Sequence, residues 1–149
     1  MNEKTFKIRL MEVGDFDAVV EIDRKLLNVS RREYYEVKFQ QIFETQGYLP
    51  ASLVAEAEDG KVVGFIMGEL YIGEFGIFQE RAKLDTIGVD PDYQHKGIGK
   101  LLINEFLDHL QRVGVEKVNT LLAYNSPLIH FFDENEFSPS KTINLERNI

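Results

Sequence analysis

Cysteine is absent from this 149-residue chain. That absence excludes disulfides, thiolate metal sites and a cysteine nucleophile, and with them any mechanism that parks an acyl group on an enzyme thiol. It also favours the cytoplasm as the working compartment. Basic residues are outnumbered, 17 lysines and arginines against 25 acids, for a formal net charge of −8. A broad nucleic-acid footprint needs a basic face, so the charge argues against nucleic acid as a partner. A cationic partner suits this field better, although acidity that merely keeps a protein soluble is the plainer reading. Long apolar runs are missing: none reaches the roughly 20 residues of a membrane span, so no membrane partner is expected. Met1-Asn2-Glu3-Lys4-Thr5-Phe6 lacks the apolar core of a signal peptide. There is no low-complexity tract and no internal repeat. What remains is an ordinary globular composition, 44% hydrophobic and 28% charged. It suits a single domain over residues 1–149 with a core of its own.

Phe6-Lys7-Ile8-Arg9-Leu10 alternates as a half-buried strand does. Gly14-Asp15 offers a turn and an N-cap for a helix carrying Phe16, Val19, Val20, Ile22, Leu26 and Leu27. Ser30 and Glu33 form a capping box for a second helix reaching about Thr45, with Tyr34, Tyr35, Phe39, Ile42 and Phe43 near helical spacing. Asp59-Gly60, between residues 53–58 and 61–67, predicts a tight hairpin. Residues 73–79 read as a loop. A strand over residues 83–89 ends at Asp90-Pro91, where proline cannot donate to a ladder.

An amphipathic helix follows over residues 97–112, with Gly114 at its C′ position. Residues 117–122 form a strand, and Ser126-Pro127 opens a short helix through about Asp133. Lys141-Thr142-Ile143-Asn144-Leu145-Glu146 alternates once more as a last strand. The order βααββ-βαβαβ implies an α/β (α+β) fold, a mixed central sheet flanked by helices.

The informative segment is Asp90-Pro91-Asp92-Tyr93-Gln94-His95-Lys96-Gly97-Ile98-Gly99-Lys100. A strand ends, a turn follows, and two glycines open a helix. Glycine lets backbone approach a ligand closely, and the free N–H groups of a helix N-terminus attract an anion. His95, Lys96 and Lys100 add cationic side chains in an otherwise acidic chain. Together they describe a pyrophosphate cradle. A Rossmann fingerprint would need a third glycine where Leu102 stands. A Walker A loop would need glycine in place of Gln94, and Ser or Thr in place of Leu101.

Gln94-x-x-Gly97-x-Gly99 resembles the coenzyme A-binding signature of the GNAT superfamily of N-acetyltransferases, Gln/Arg-x-x-Gly-x-Gly/Ala. The element order extends the resemblance over nearly the whole chain. The resemblance implies acetyl-CoA as cosubstrate, with no metal, and acetyl transfer straight to an amine. Backbone N–H groups of Gln94, His95, Lys96, Gly97, Ile98 and Gly99 would hold the pyrophosphate, with Lys100 beside them. The pantetheine arm would lie between the strand ending at Val89 and the strand beginning near Lys117, bonding main chain at Ile87 and Val89. The Ile87 N–H would then face the thioester carbonyl, and one such oxyanion donor is worth about 3 to 4 kcal/mol. Asn125 matches a family asparagine that touches the coenzyme; an Asn-Ser-Pro turn is the structural alternative.

The acceptor must attack as a neutral amine, which a lysine-like group with pKa about 10.4 supplies in only about one molecule per thousand or fewer near pH 7. A base, direct or through water, is needed. At the family's usual glutamate position stands Lys83, so Asp85, two residues on and on the same face by strand alternation, is the candidate base. A structural carboxylate paired with Lys83 or an arginine is the competing reading. Glu69, Glu74 and Glu80 are weaker candidates. Where relatives often carry a tyrosine acid this chain has Phe132, and Glu136-Phe137 stands for their Gly-Phe pair. Either the thiolate leaves without concerted protonation, or Tyr124 supplies the proton, with core packing as the alternative role for Tyr124. His109 and His130 lack metal-ligand spacing and receive no chemistry.

The departures at Lys83 and Phe132 keep a second class of function open, an acyl-CoA-binding sensor without transfer. A pure interaction module conflicts with residues 94–99. The acceptor expected is a cationic amine, either a small molecule such as a polyamine, or a peptide N-terminus or lysine. A homodimer is compatible with the sequence.

Overall fold

The computed structural model describes residues 5–44, 50–72 and 80–149. Five strands form one mixed sheet in the order β1-β2-β3-β4-β5: β1 Lys7–Leu10, β2 Leu53–Glu56, β3 Val62–Ile72, β4 Glu80–Val89 and β5 Lys117–Asn119. The first four run antiparallel to their neighbours, and β5 lies parallel to β4. Helices α1 (Phe16–Leu27) and α2 (Arg32–Glu44) precede β2, α3 (Ile98–Arg112) links β4 to β5, and α4 (Ile129–Glu134) follows. Among the described residues no helix is long and apolar enough to cross a membrane.

Helices cover both faces, so the central strands are apolar at successive positions rather than alternate ones. Leu53, Ala55 and Ile66 pack with Leu102, Ile103, Phe106 and Leu110 of α3. Their strand neighbours Val54, Phe65 and Met67 pack on the opposite face with Val19 and Ile22 of α1 and Tyr35 and Phe39 of α2. The expected hairpin forms around Asp59-Gly60 but with a longer loop: β2 ends at Glu56, β3 begins at Val62, and Gly60 alone of the pair takes a positive φ, +85°; Gly114 follows α3 at φ +89°.

Polar clasps tie the helices down. Asp15 does not cap α1 with its side chain; it accepts from the Glu12 N–H at 2.7 Å and from both terminal nitrogens of Arg9 at 2.8 Å. Arg9 also reaches Glu56, locking β1 to β2. Between α1 and α2, Arg31 grips Asp23 at 2.7 and 2.9 Å, and the buried Tyr35 hydroxyl donates to the same carboxylate at 2.7 Å. Burial pushes the Asp23 carboxyl up, but Arg31 and Tyr35 outweigh it and hold it below the usual carboxylate range.

Two expectations need correction. Strand β5 stops at Asn119 rather than residue 122. The last expected strand does not form: residues 141–146 carry no regular structure, and Ile143 and Leu145 are 83% and 84% exposed. Alternation prepares a segment for a sheet, but a strand exists only with a ladder partner, and the tail lies alongside none. Residues 73–79, with the expected loop and Glu74, lie outside the described residues, as do Thr45 and the side chain of Glu80.

Candidate active site

The site lies where β4 parts from β5. Pairing covers only Arg81–Lys117, Ala82–Val118 and Lys83–Asn119. The Thr120 hydroxyl then donates to the Leu84 carbonyl at 3.0 Å, and beyond it β4 runs on to Val89 with no strand on that side among the described residues. Which backbone groups face the gap follows from the β3 ladder. Asp90 N–H donates to the Val63 carbonyl at 2.8 Å, and hydrogen-bonded and non-bonded pairs alternate along an antiparallel ladder. Gly64–Val89 and Ile66–Ile87 are therefore non-bonded pairs, and the N–H and C=O groups of Ile87 and Val89 point away from β3. Gln94 Nε2 reaches the Val89 carbonyl from the gap side at 3.3 Å.

At the open end stands the turn before α3. Asp90, only 2% exposed, caps the 3-10 turn Pro91–Tyr93 by accepting from the Asp92 N–H at 3.0 Å, and Lys25 of α1 reaches it at 3.1 Å. Burial pushes the Asp90 carboxyl up, yet the Asp92 N–H and Lys25 hold it below the usual range. His95 sits at φ +63° and Gly97 at φ +81°, so the chain turns through two left-handed residues before α3 begins. Gly97 is there for its backbone angle: a Cβ would meet only open space, but few side-chain-bearing residues hold that φ without strain.

Gly99 is there for another reason. A Cβ on it would come within 3.2 Å of the Phe131 ring, so this glycine lets α3 and α4 pack closely. The first-turn N–H groups of α3 have no intrahelical acceptor. No side chain caps them and no acid stands in that turn. With exposed His95, Lys96 and Lys100 around them, these donors suit a pyrophosphate.

Asp85 takes an unexpected face. Across β3–β4, Met67 faces Thr86 and Gly68 faces Leu84, leaving Asp85 as the extra residue of a β-bulge. The bulge breaks the alternation that would set Asp85 beside Ile87. Ile87 packs on the α3 face, whereas Asp85 meets α2, with Lys38 Nζ at 3.2 Å. Lys83 lies 3.8 Å from its other oxygen, as the shared face implied. The Asp85 side chain is only 7% exposed. Burial alone would lower the Lys38 ammonium, but Asp85 outweighs it and holds Lys38 above the usual lysine range. Glu69 stands across the ladder from Lys83.

The remaining candidates separate. Tyr124, on the loop after β5, is 93% exposed, so a packing role for it is excluded. Asn125 is exposed beside it. Phe132 is buried and stacks edge-on between Phe131 and Phe137, at 5.4 and 5.2 Å. His109 donates to the Pro50 carbonyl, and His130 pairs with Glu134. Lys38, Lys25 and Lys61 escaped sequence reasoning, because each meets its partner across elements distant in the chain and nothing local marks it.

The chain is thus a mixed α/β domain in which a parting strand pair opens onto an uncapped, cation-flanked helix start. Residues 16–137 match the Acetyltransferase (GNAT) family, and the chain belongs to that family. It is 32% identical over 91 residues to a mycothiol acetyltransferase of Propionibacterium freudenreichii subsp. shermanii, covering 60% of this chain and 28% of that protein. It is 33% identical over 58 residues to the [ribosomal protein bS18]-alanine N-acetyltransferase of Escherichia coli (strain K12), covering 39% of this chain and 34% of that one. The matched stretches thus span about a third of those relatives' own lengths. An aminoglycoside N-acetyltransferase solved in complex with coenzyme A shares the fold at a TM-score of 0.77 and 15% identity, over 99% of this chain and 97% of that one.

Proposed function

We propose that residues 1–149 work as one N-acetyltransferase domain, carrying acetyl from acetyl-CoA directly to an amine within a ternary complex. One observation carries the reading: the main-chain groups of Ile87 and Val89, which meet no strand on that side among the described residues, face a gap that opens onto the helix start at residues 94–99. An extended amide-bearing arm needs backbone partners along such a gap, and its pyrophosphate needs N–H donors at the end.

In this reading the free amine attacks the thioester carbonyl from the α1–α2 side. The Ile87 N–H stabilises the charge that builds on the carbonyl oxygen. The C–S bond breaks, the sulfur departs as a thiolate, and the nitrogen's surplus proton passes through water toward Asp85. The thiolate needs no concerted acid, since a thiol pKa near 8.5 makes it a tolerable leaving group; Tyr124 stays in place as a solvent-exposed donor. Asn125 and the cations His95, Lys96 and Lys100 assist coenzyme binding. The acceptor is a small amine or a peptide amine, the two kinds named for the relatives above. A sensor without transfer is favoured by one feature, that Lys38 and Lys83 already engage Asp85.

The test is a thermal melt with millimolar acetyl-CoA, followed by coenzyme A release across a panel of amines. Stabilisation that Gly97→Asp abolishes, and turnover with intersecting double-reciprocal lines, are the expected results. No stabilisation sinks the cradle; binding without release on any amine selects the sensor; ping-pong kinetics refute direct transfer.

A further inference from the structure

The last turn of α1 sits on the end of β4. Lys25 Nζ lies 3.1 Å from Asp90 Oδ2 and 3.6 Å from Asp92. The next residue, Leu26, covers Gly88, where an added Cβ would come within 3.1 Å of its Cδ1. From the far side, Lys61 Nζ stands 3.9 Å from the same Asp90 oxygen and 5.5 Å over the Tyr93 ring. Asp90 Oδ1 meanwhile caps the turn through the Asp92 N–H. One buried carboxylate thus joins α1, the β3 end of the hairpin and the turn that leads into residues 94–99.

The same helix is tied to α2. Asp23, two residues before Lys25, holds Arg31 and Tyr35, and α2 in turn carries Lys38 to Asp85. The coenzyme end and the acceptor side of β4 are therefore linked through α1 and α2, with a polar clasp at each contact. Of these clasps, Lys25–Asp90 is the one at the turn itself, and its lysine is partly open to solvent.

We infer that Lys25 is a positioning residue that couples occupancy of the coenzyme turn to the seating of α1, and through α1 to the acceptor side of the site. This rests on the reading of residues 94–99 as the pyrophosphate cradle. The turn that Asp90 caps, Pro91–Tyr93, leads directly into the N–H donors of residues 94–99, so an anion that orders those donors bears on the carboxylate that Lys25 grips. Coupling of this kind is reciprocal: whatever seats α1 must equally favour the coenzyme.

The test is calorimetric titration of acetyl-CoA into wild type, Lys25→Met, Lys25→Arg and Asp90→Asn, with hydrogen exchange of residues 16–27 followed with and without acetyl-CoA. Lys25→Met should weaken binding by about five-fold or more, the lower end of typical coupling, and Lys25→Arg should restore most of it. Asp90→Asn keeps an acceptor for the Asp92 N–H while losing the charge. It should match Lys25→Met, and the double variant should be no worse than either. Acetyl-CoA should slow exchange in α1 of the wild type and leave α1 of Lys25→Met unchanged. Wild-type affinity in Lys25→Met, or wild-type α1 exchange indifferent to acetyl-CoA, overturns the coupling alone. A wild type that does not bind acetyl-CoA overturns the cradle reading and the coupling with it.

Discussion

Replacing Asp85 by asparagine separates chemistry from architecture at the centre of the site. The Lys38–Asp85 pair is 3.2 Å long, with side chains 19% and 7% exposed. At an effective dielectric near 20, Coulomb attraction at that distance is about 5 kcal/mol before desolvation is counted. Breaking a fully buried pair by removing one partner costs about 3 to 5 kcal/mol. Lys38 keeps some access to water, and asparagine keeps an acceptor oxygen. The expected loss is therefore about 1 to 3 kcal/mol, a fall in Tm of roughly 3 to 10 °C for a chain of this size.

The pH dependence has a definite sign. Asp85 raises the Lys38 ammonium above its ordinary value. The stability from that pair is thus fully present below about pH 10.4, the unfolded lysine value, and is lost as pH rises through the raised folded value. The gap in stability between wild type and Asp85→Asn should stay level from pH 7 to about 10 and narrow above that. If Asp85 also receives the amine's proton, turnover should fall by about 10²- to 10⁴-fold, with partial rescue at high pH where free amine is plentiful.

The assay is coenzyme A release on the best acceptor of the amine panel, run beside thermal melts and with Lys38→Met as companion. Lys38→Met disturbs the same pair but leaves the carboxylate, so it should lose stability while keeping far more activity than Asp85→Asn. A folded Asp85→Asn enzyme with wild-type turnover at neutral pH would remove Asp85 from the mechanism. Equal losses in the two variants would reduce it to a structural carboxylate.

At Gly99, valine should destabilise by about 1 to 3 kcal/mol because its side chain meets the Phe131 ring, and Phe131→Leu should relieve part of that cost in denaturant melts. Tyr35→Phe removes a 2.7 Å hydrogen bond to the buried Asp23, and a loss of about 1 to 3 kcal/mol is expected by urea unfolding; an unchanged midpoint would show that Arg31 alone suffices. Asp15, Asp23 and Asp90 are all held below the usual carboxylate range. Their contribution should be present above about pH 4 and disappear as pH falls through the lowered values, seen as a steep acid limb in Tm. Phe132→Ala should cost about 3 to 5 kcal/mol, whereas Phe132→Tyr should leave turnover unchanged or raised.

The turn before α3 was legible in the chain because its determinants are local. A strand stopped by Asp90-Pro91, a glycine at a left-handed position and an amphipathic helix behind it need no distant partner to take shape. The Asp59-Gly60 hairpin and the alternation of β1 are of the same kind. Gly99 has a packing reason that no local pattern carries, since its neighbour Phe131 lies some thirty residues on. The tail shows the limit from the other side: its alternation is genuine, but a strand is a property of two segments, and the tail pairs with none among the described residues.

What the sequence determined by itself is the glycine turn with its uncapped helix start, and the family to which the chain belongs, because such backbone angles are set within a few neighbouring residues. What only the tertiary structure decided is the chemistry beside it. A bulge turned Asp85 to the face opposite Ile87, and α2 delivered Lys38 to meet it. Strand alternation is a local rule, but a bulge arises from the register between two strands. An ion pair likewise depends on where helices settle on the sheet, and neither is written within reach of the residues it governs.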